Sequence, residues 1–144
     1  LVVLTERNVF ASIFEKHKEY HLRKAENVLT KVGLWEKRNQ LAVNLSYGQR
    51  KLLEIARALA INAEIYLLDE PFAGLFPEMI KIISGIIHEL KQNGKTVILI
   101  EHNMDLIRQL SDYIFVMDSG RLLAKGEPSE VLLKKEVIEA YLGE

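Results

Sequence analysis

Residues 65–71 read Ile65-Tyr66-Leu67-Leu68-Asp69-Glu70-Pro71. A short, unbroken apolar run that stops at two carboxylates has the character of a strand buried on both faces, the habit of parallel sheets covered by helices. Thr96-Val97-Ile98-Leu99-Ile100 repeats the pattern and ends in Glu101-His102. Between the two runs, from Pro77 to about Gln92, Ile80, Ile83, Ile87 and Leu90 recur at three- and four-residue steps. That is the period of a helix with one inward face. Strand, helix and strand make a β-α-β unit with a right-handed crossover. The strands at 64–69 and 96–100 are therefore expected to be parallel neighbours, with Glu70 and His102 near each other at one edge.

Outward from this unit, the texture changes on each side. Toward the C-terminus, Tyr113 to Met117 is a third apolar run, followed by a turn at Asp118-Ser119-Gly120 and a partner strand near Arg121–Ala124. From Pro128 onward the pattern is helical. Toward the N-terminus, residues 6–62 read as helices. Ala25, Val28, Leu29 and Val32 keep helical spacing, and Gly33 is a plausible stop. A second helix is expected to start at Ser46, with Gln49 three residues later as a capping box requires. Leu52, Leu53, Ile55, Ala56, Leu59 and Ala60 then form its apolar face. The organisation predicted is α/β: a helical region over residues 1–62, then a mainly parallel sheet with flanking helices over 63–144.

Bulk composition narrows the functional classes. The 144 residues are 49% hydrophobic and 27% charged, with a formal net charge of −1, so the chain can bury a core and is no disordered tail. The charges are mixed in sign and form no basic stripe, which argues against a nucleic-acid partner. There is no cysteine, which excludes disulfides and thiolate metal sites. No run is long and uncharged enough to cross a bilayer, and the expected location is cytosolic. The chain opens Leu1-Val2-Val3-Leu4 without an initiator Met, as a truncated chain would.

Three constellations carry chemistry. Asp69 and Glu70 stand at the carboxyl end of a strand, where open α/β sheets bind their ligands. Successive strand side chains point opposite ways, so one carboxylate can face a metal ion and the other a water, though acidic residues also end many strands merely at the surface. His102 follows the next strand, where an imidazole can contact a phosphate or orient a water; taken singly, it could also be a polar residue capping the helix that begins near Asn103. Leu45-Ser46-Tyr47-Gly48-Gln49 opens a helix, whose unpaired amides and partial positive charge suit a phosphate. Gly48 permits close backbone approach, but Ser46 and Gln49 can as well do no more than cap their own helix. His17, His21 and His88 have no comparable setting. Gly94-Lys95-Thr96 looks like the tail of the phosphate-binding loop G-x-x-x-x-G-K-[ST], but residue 89 is Glu89 and a helix precedes it rather than a strand. It reads instead as a helix-stop glycine leading into a strand.

Together these segments resemble the ATP-binding-cassette (ABC) ATPases over roughly residues 40–125. Leu45–Gln49, continued by Arg50-Lys51-Leu52-Leu53-Glu54-Ile55-Ala56-Arg57-Ala58-Leu59, looks like the family's signature motif. Ile65–Glu70 looks like the Walker B strand, Phe72–Pro77 like the D-loop, and His102 like the switch histidine. The Ser-Tyr-Gly signature, Ile-Glu-His-Asn-Met and the terminal Tyr-Leu-Gly-Glu resemble most the ATPases of branched-chain amino-acid importers. Lipopolysaccharide-export ATPases share part of the pattern.

The resemblance implies a P-loop NTPase-type fold, of which this chain is the C-terminal half, and a subunit that binds and hydrolyses ATP with Mg2+ to drive transport. It implies that Ser46, Tyr47, Gly48 and Gln49 meet nucleotide held by a second ATPase subunit in a head-to-tail dimer, with Ser46 and Gly48 touching the γ-phosphate. Asp69 would hold Mg2+, usually through water. Glu70 would be the general base, and His102 would sense the γ-phosphate. Transmembrane permease subunits would be further partners, which places the protein in the cytoplasm on the inner face of the membrane. The family's P-loop, adenine-stacking aromatic and Q-loop would all precede Leu1, so these 144 residues alone are expected to be inactive, and a non-hydrolytic role as signature donor or docking module is the alternative. Tyr47 stands where the family more often has a second glycine, and Phe76 where its D-loop carries Asp or Asn.

Overall fold

A computed structural model describes residues 15–142 of the chain, so the opening of the helical region expected from residue 6 lies outside the described residues. The chain divides into two compact units, one ending at Leu99 and the other beginning at Ile100.

In the first unit, helix α1 (Glu15–Lys31) is followed by two short 3-10 turns at Trp35–Lys37 and Ala42–Asn44, then by helix α2 (Tyr47–Ile61). Strand β1 (Ile65–Asp69), helix α3 (Pro77–Gln92) and strand β2 (Thr96–Ile100) complete the β-α-β unit at the bounds the sequence suggested. The amide of Thr96, at the start of β2, donates to the carbonyl of Glu64, just before β1, at 2.9 Å. Both strands thus start at the same end, and β1 and β2 are parallel, hydrogen-bonded neighbours. Lys95 and Glu64 add an ion pair at 2.6 Å beside that bond.

The helix stops follow the glycines. After α3, the amide of Gly94 donates to Lys91 and that of Lys95 to Leu90, with Gly94 at φ +72°. This pair of bonds satisfies two of the helix's last carbonyls, and it turns the chain directly into β2. The same arrangement ends α1, where Gly33 donates to Thr30 and Leu34 to Leu29.

The core of this unit is built where the inner faces of the helices meet. Val32, Leu34, Leu52, Ile55, Ala56, Ala60, Ile83, Ile86 and Ile87 are buried, and Val32 and Ile83 are sealed completely. Lys31 on α1 and Glu89 on α3 form an ion pair at the surface of this packing. The two strands differ from expectation. Only one side of the pair is covered: Tyr66 is buried and Leu68, Val97 and Leu99 are half-buried, whereas Ile65, Leu67, Ile98 and Ile100 are exposed. An apolar run on both faces of a strand records the need for two covering layers, and the described residues supply one of them.

The second unit contains helix α4 (Met104–Leu110), strands β3 (Ile114–Asp118) and β4 (Arg121–Gly126), and helices α5 (Pro128–Val131) and α6 (Lys135–Leu142). β3 and β4 are antiparallel, and Ser119 and Gly120 in the turn both have positive φ, the conformation a two-residue hairpin requires. The register runs from Ile114 opposite Gly126 to Val116 opposite Ala124, then shifts so that Met117 faces Leu122. One face of the hairpin, through Ile114 and Ala124, packs with Val131, Leu132 and Val137 of the closing helices into a small core. Among the described residues no helix is long and apolar enough to cross a membrane.

Candidate functional site

Four of the seven candidate residues open helix α2. Ser46 is its N-cap, with extended backbone at φ −62° and ψ 165°. The Gln49 amide donates to Ser46 Oγ at 3.3 Å, and the Ser46 amide donates to Gln49 Oε1 at 3.0 Å. The capping box is thus closed, and both side chains serve the helix as the simpler reading required. That leaves the amides of Tyr47 and Gly48, which the helix geometry provides with no intrahelical acceptor, and the Ser46 hydroxyl proton as donors at this end. Arg50 Nη1 donates to the Leu45 carbonyl at 2.6 Å and ties the preceding residue to the first turn.

Asp69 is the last residue of β1, and Glu70 follows it; both are exposed. Glu70 has φ 43°, the left-handed region that costs an ordinary residue roughly 1–2 kcal/mol. The chain thereby turns off the strand end into the buried pair Pro71 and Phe72, and two turn bonds follow, Ala73 N–H to Glu70 C=O at 3.3 Å and Leu75 N–H to Phe72 C=O at 3.2 Å. The left-handed turn at Glu70 is a local irregularity of the sort that collects at functional sites.

The structure brings the signature-like turn and this loop together. Gly74 has φ +69°, and a β-carbon on it would lie 3.2 Å from Tyr47 Cε1. A β-carbon on Gly48 would lie 2.3 Å from Met79 Sδ and 3.4 Å from Leu75 Cδ2. Sequence reasoning did not single out Gly74, Leu75 or Met79, because nothing in their spacing shows that the 70–79 segment returns to the start of α2.

His102 follows the carboxyl end of β2, as Glu70 follows that of β1, and it belongs to the second unit. Its side chain is exposed, and its amide donates to Glu101 Oε2 at 3.3 Å. The helix-capping role belongs to its neighbour: Asn103 Oδ1 accepts from the amides of Asp105 at 3.0 Å and Leu106 at 3.2 Å.

A metal cage is not present among the described residues, where no three His, Cys, Asp or Glu side chains cluster. Two adjacent carboxylates at a strand end fit a Mg2+ ion that keeps several waters and arrives with substrate phosphates. They do not fit a site that would hold the ion by protein ligands alone.

A parallel strand pair that ends in adjacent carboxylates, and a capped helix whose first turn packs on the loop beyond them, define part of an α/β cassette. Residues 2–73, half of the chain, match the family described as ABC transporter, and the chain belongs to that family. It is 42% identical over 132 residues to the high-affinity branched-chain amino acid transport ATP-binding protein LivG of Escherichia coli (strain K12), covering 91% of this chain and 52% of that one. It is 38% identical over 122 residues to the arginine transport ATP-binding protein ArtM of Bacillus subtilis (strain 168), covering 85% and 51%. The solved ADP conformation of MJ1267, an ATP-binding cassette of an ABC transporter, superposes with a TM-score of 0.74 at 37% identity, over 85% of this chain and 50% of that one. The fold is thus that of part of a P-loop NTPase-type cassette. The chain spans about half the length of the relatives it matches.

Proposed function

We propose that these residues form the signature- and Walker B-bearing part of the ATP-hydrolysing subunit of an ABC importer of amino acids, branched-chain amino acids in the first place. The observation that carries the catalytic part is Glu70: an exposed carboxylate immediately beyond a parallel strand, on backbone turned into the left-handed region. A carboxylate so placed can take the proton of a water attacking the γ-phosphorus of ATP. Asp69, one residue earlier, accepts only and suits a water of the Mg2+ shell. Mg2+, when bound, neutralises charge on the phosphates. His102 offers an imidazole N–H to the γ-phosphate. The Ser46 hydroxyl and the amides of Tyr47 and Gly48 face the nucleotide of a second ATPase subunit, with the capping box holding them in place. Permease subunits in the membrane complete the transporter, which puts this subunit on the cytoplasmic face.

The amino-acid substrate class rests on the relatives named above and on the Ser-Tyr-Gly signature. The 144-residue chain contains no G-x-x-x-x-G-K-[ST] match, which favours, for the chain alone, the role of signature donor without hydrolysis. The deciding experiment is Glu70→Gln in the full-length subunit. It should keep ATP affinity and lose most of the turnover, and it should accumulate a closed, ATP-bound dimer. Near-normal hydrolysis would remove Glu70 from the role of base.

A further inference from the structure

We infer that Tyr47 is a positioning residue for the loop that carries Glu70, acting through the seat of its ring against Gly74; this rests on the hydrolytic role proposed above for Glu70. Within the loop from 70 to 76, the turn hydrogen bonds from Ala73 N–H to Glu70 C=O and from Leu75 N–H to Phe72 C=O are 3.3 and 3.2 Å, at the long end of the normal range. Glu70 at φ 43° is a conformation that persists only where the surroundings over-determine it. Pro71 and Phe72 anchor the start of the loop by burial, but Gly74, beyond them, is exposed and carries no side chain.

What meets Gly74 is the Tyr47 ring. Three ring atoms, Cε1, Cδ1 and Cζ, lie 3.2, 3.9 and 3.9 Å from the point where a β-carbon would stand. The ring therefore occupies the side of Gly74 that any other residue would fill, and Gly74 at φ +69° is a position glycine adopts without strain. One residue along, Gly48 gives Leu75 and Met79 the same close approach. The first turn of α2 thus touches the loop at Gly74 and Leu75 and the start of α3 at Met79. Because α2 is a 15-residue helix with a closed capping box and a buried face, it is the rigid member of the pair and the loop is the adjustable one.

Magnitudes decide what such a contact can do. About half of Tyr47 remains in water, at 51% exposure. Loss of so exposed a ring should therefore leave the fold standing while freeing the loop it touches. A purely structural tyrosine would behave the other way round, lowering global stability with no selective effect at residues 70–76.

The test uses the full-length subunit and two readouts. Hydrogen exchange followed by mass spectrometry over residues 70–76 should speed up about tenfold in Tyr47→Ala, the local opening expected when a contact that holds a segment is removed. Peptides from α3 should be unchanged, and Tyr47→Phe, which keeps the ring, should restore the original rate. In steady-state hydrolysis, Tyr47→Ala should lower kcat about tenfold with KM within twofold, the pattern of a lost transition-state arrangement rather than of lost binding. Unchanged exchange at 70–76 in Tyr47→Ala overturns the positioning role. Faster exchange with unaltered kcat overturns its part in hydrolysis. Absence of hydrolysis in the unsubstituted subunit, or near-normal turnover in Glu70→Gln, would instead defeat the catalytic reading of Glu70, and the exchange result would still decide whether the ring holds the loop.

Discussion

Gly48 and Met79 meet so closely that a β-carbon at position 48 would lie 2.3 Å from Met79 Sδ. A glycine in a signature-like turn invites an explanation through ligand approach alone, but here it also admits a side chain from α3. Overpacking of this kind costs about 1–3 kcal/mol, and the flexible thioether keeps it near the lower figure. Gly48→Ala should therefore destabilise the chain by about 1 kcal/mol, and Met79→Ala should relieve most of that cost when combined with it. Urea unfolding of the two single variants and the double variant measures the coupling. Strictly additive values would show that the two positions do not share the space.

The 144 residues by themselves should show no appreciable affinity for Mg-ATP. Phosphate affinity in this class of fold comes largely from backbone amides and a lysine wrapped around the phosphates, and no matching sequence is present. Asp69 and Glu70 would repel the polyanion, and an isolated carboxylate pair seldom holds Mg2+ without substrate phosphates. Calorimetric titration of the purified chain checks this. Saturable micromolar binding would reveal a nucleotide site elsewhere in the chain.

Ile65, Leu67, Ile98 and Ile100 leave one side of the strand pair bare, and exposed apolar sheet surface promotes association. Replacing Leu67 and Ile98 by Ser should shift the chain toward monomer in sedimentation experiments, while its unfolding temperature changes little. Ile83→Ala, at a sealed position, should instead cost about 2–5 kcal/mol. Equal losses of stability at the two sites would mean that the bare face is covered in the chain itself.

His102 and Asn103 should separate cleanly by substitution. Asn103→Ala removes the acceptor of two first-turn amides of α4 and should lower stability by about 1 kcal/mol. His102→Ala changes an exposed side chain, so stability should move by less than about 0.5 kcal/mol, while turnover of the full-length subunit falls steeply. Thermal unfolding read beside hydrolysis distinguishes the two. A His102→Ala variant that hydrolyses normally would return this residue to the surface.

The β-α-β unit was legible because strand and helix periods differ. The run at 65–68, the helix at 77–92 and the run at 96–100 hold their bounds within a residue, and the capping box at Ser46 and Gln49 is realised bond for bond. The helix stops at Gly33 and Gly94 were legible for the same local reason. What could not be read was tertiary. Apolar residues on both sides of β1 state what the strand requires, and they are silent on whether the described chain supplies it. The division at Leu99 and Ile100 leaves no mark in composition. Nothing in the spacing of Tyr47 and Gly74, or of Gly48 and Met79, announces that each pair meets, since such encounters are set by how α2 and α3 pack and not by any periodicity.

Helix α3 begins without a side-chain cap, although Pro77 at its first position and Glu78 in its first turn both favour the start. Its N-cap is Phe76, with extended backbone at φ −74° and ψ 154°, no side-chain cap and a ring that is 72% exposed. A cap residue such as Asp at this position typically adds about 1 kcal/mol to a helix, and it would place a negative charge at the positive end of the dipole. The natural sequence therefore forgoes a local optimum at one identifiable position, and replacing Phe76 by a capping residue is an engineering route to a tougher protein. Whether Phe76→Asp does so while the hydrolysis proposed for the full-length subunit is kept would tell whether that wet ring is tolerated drift or a working part.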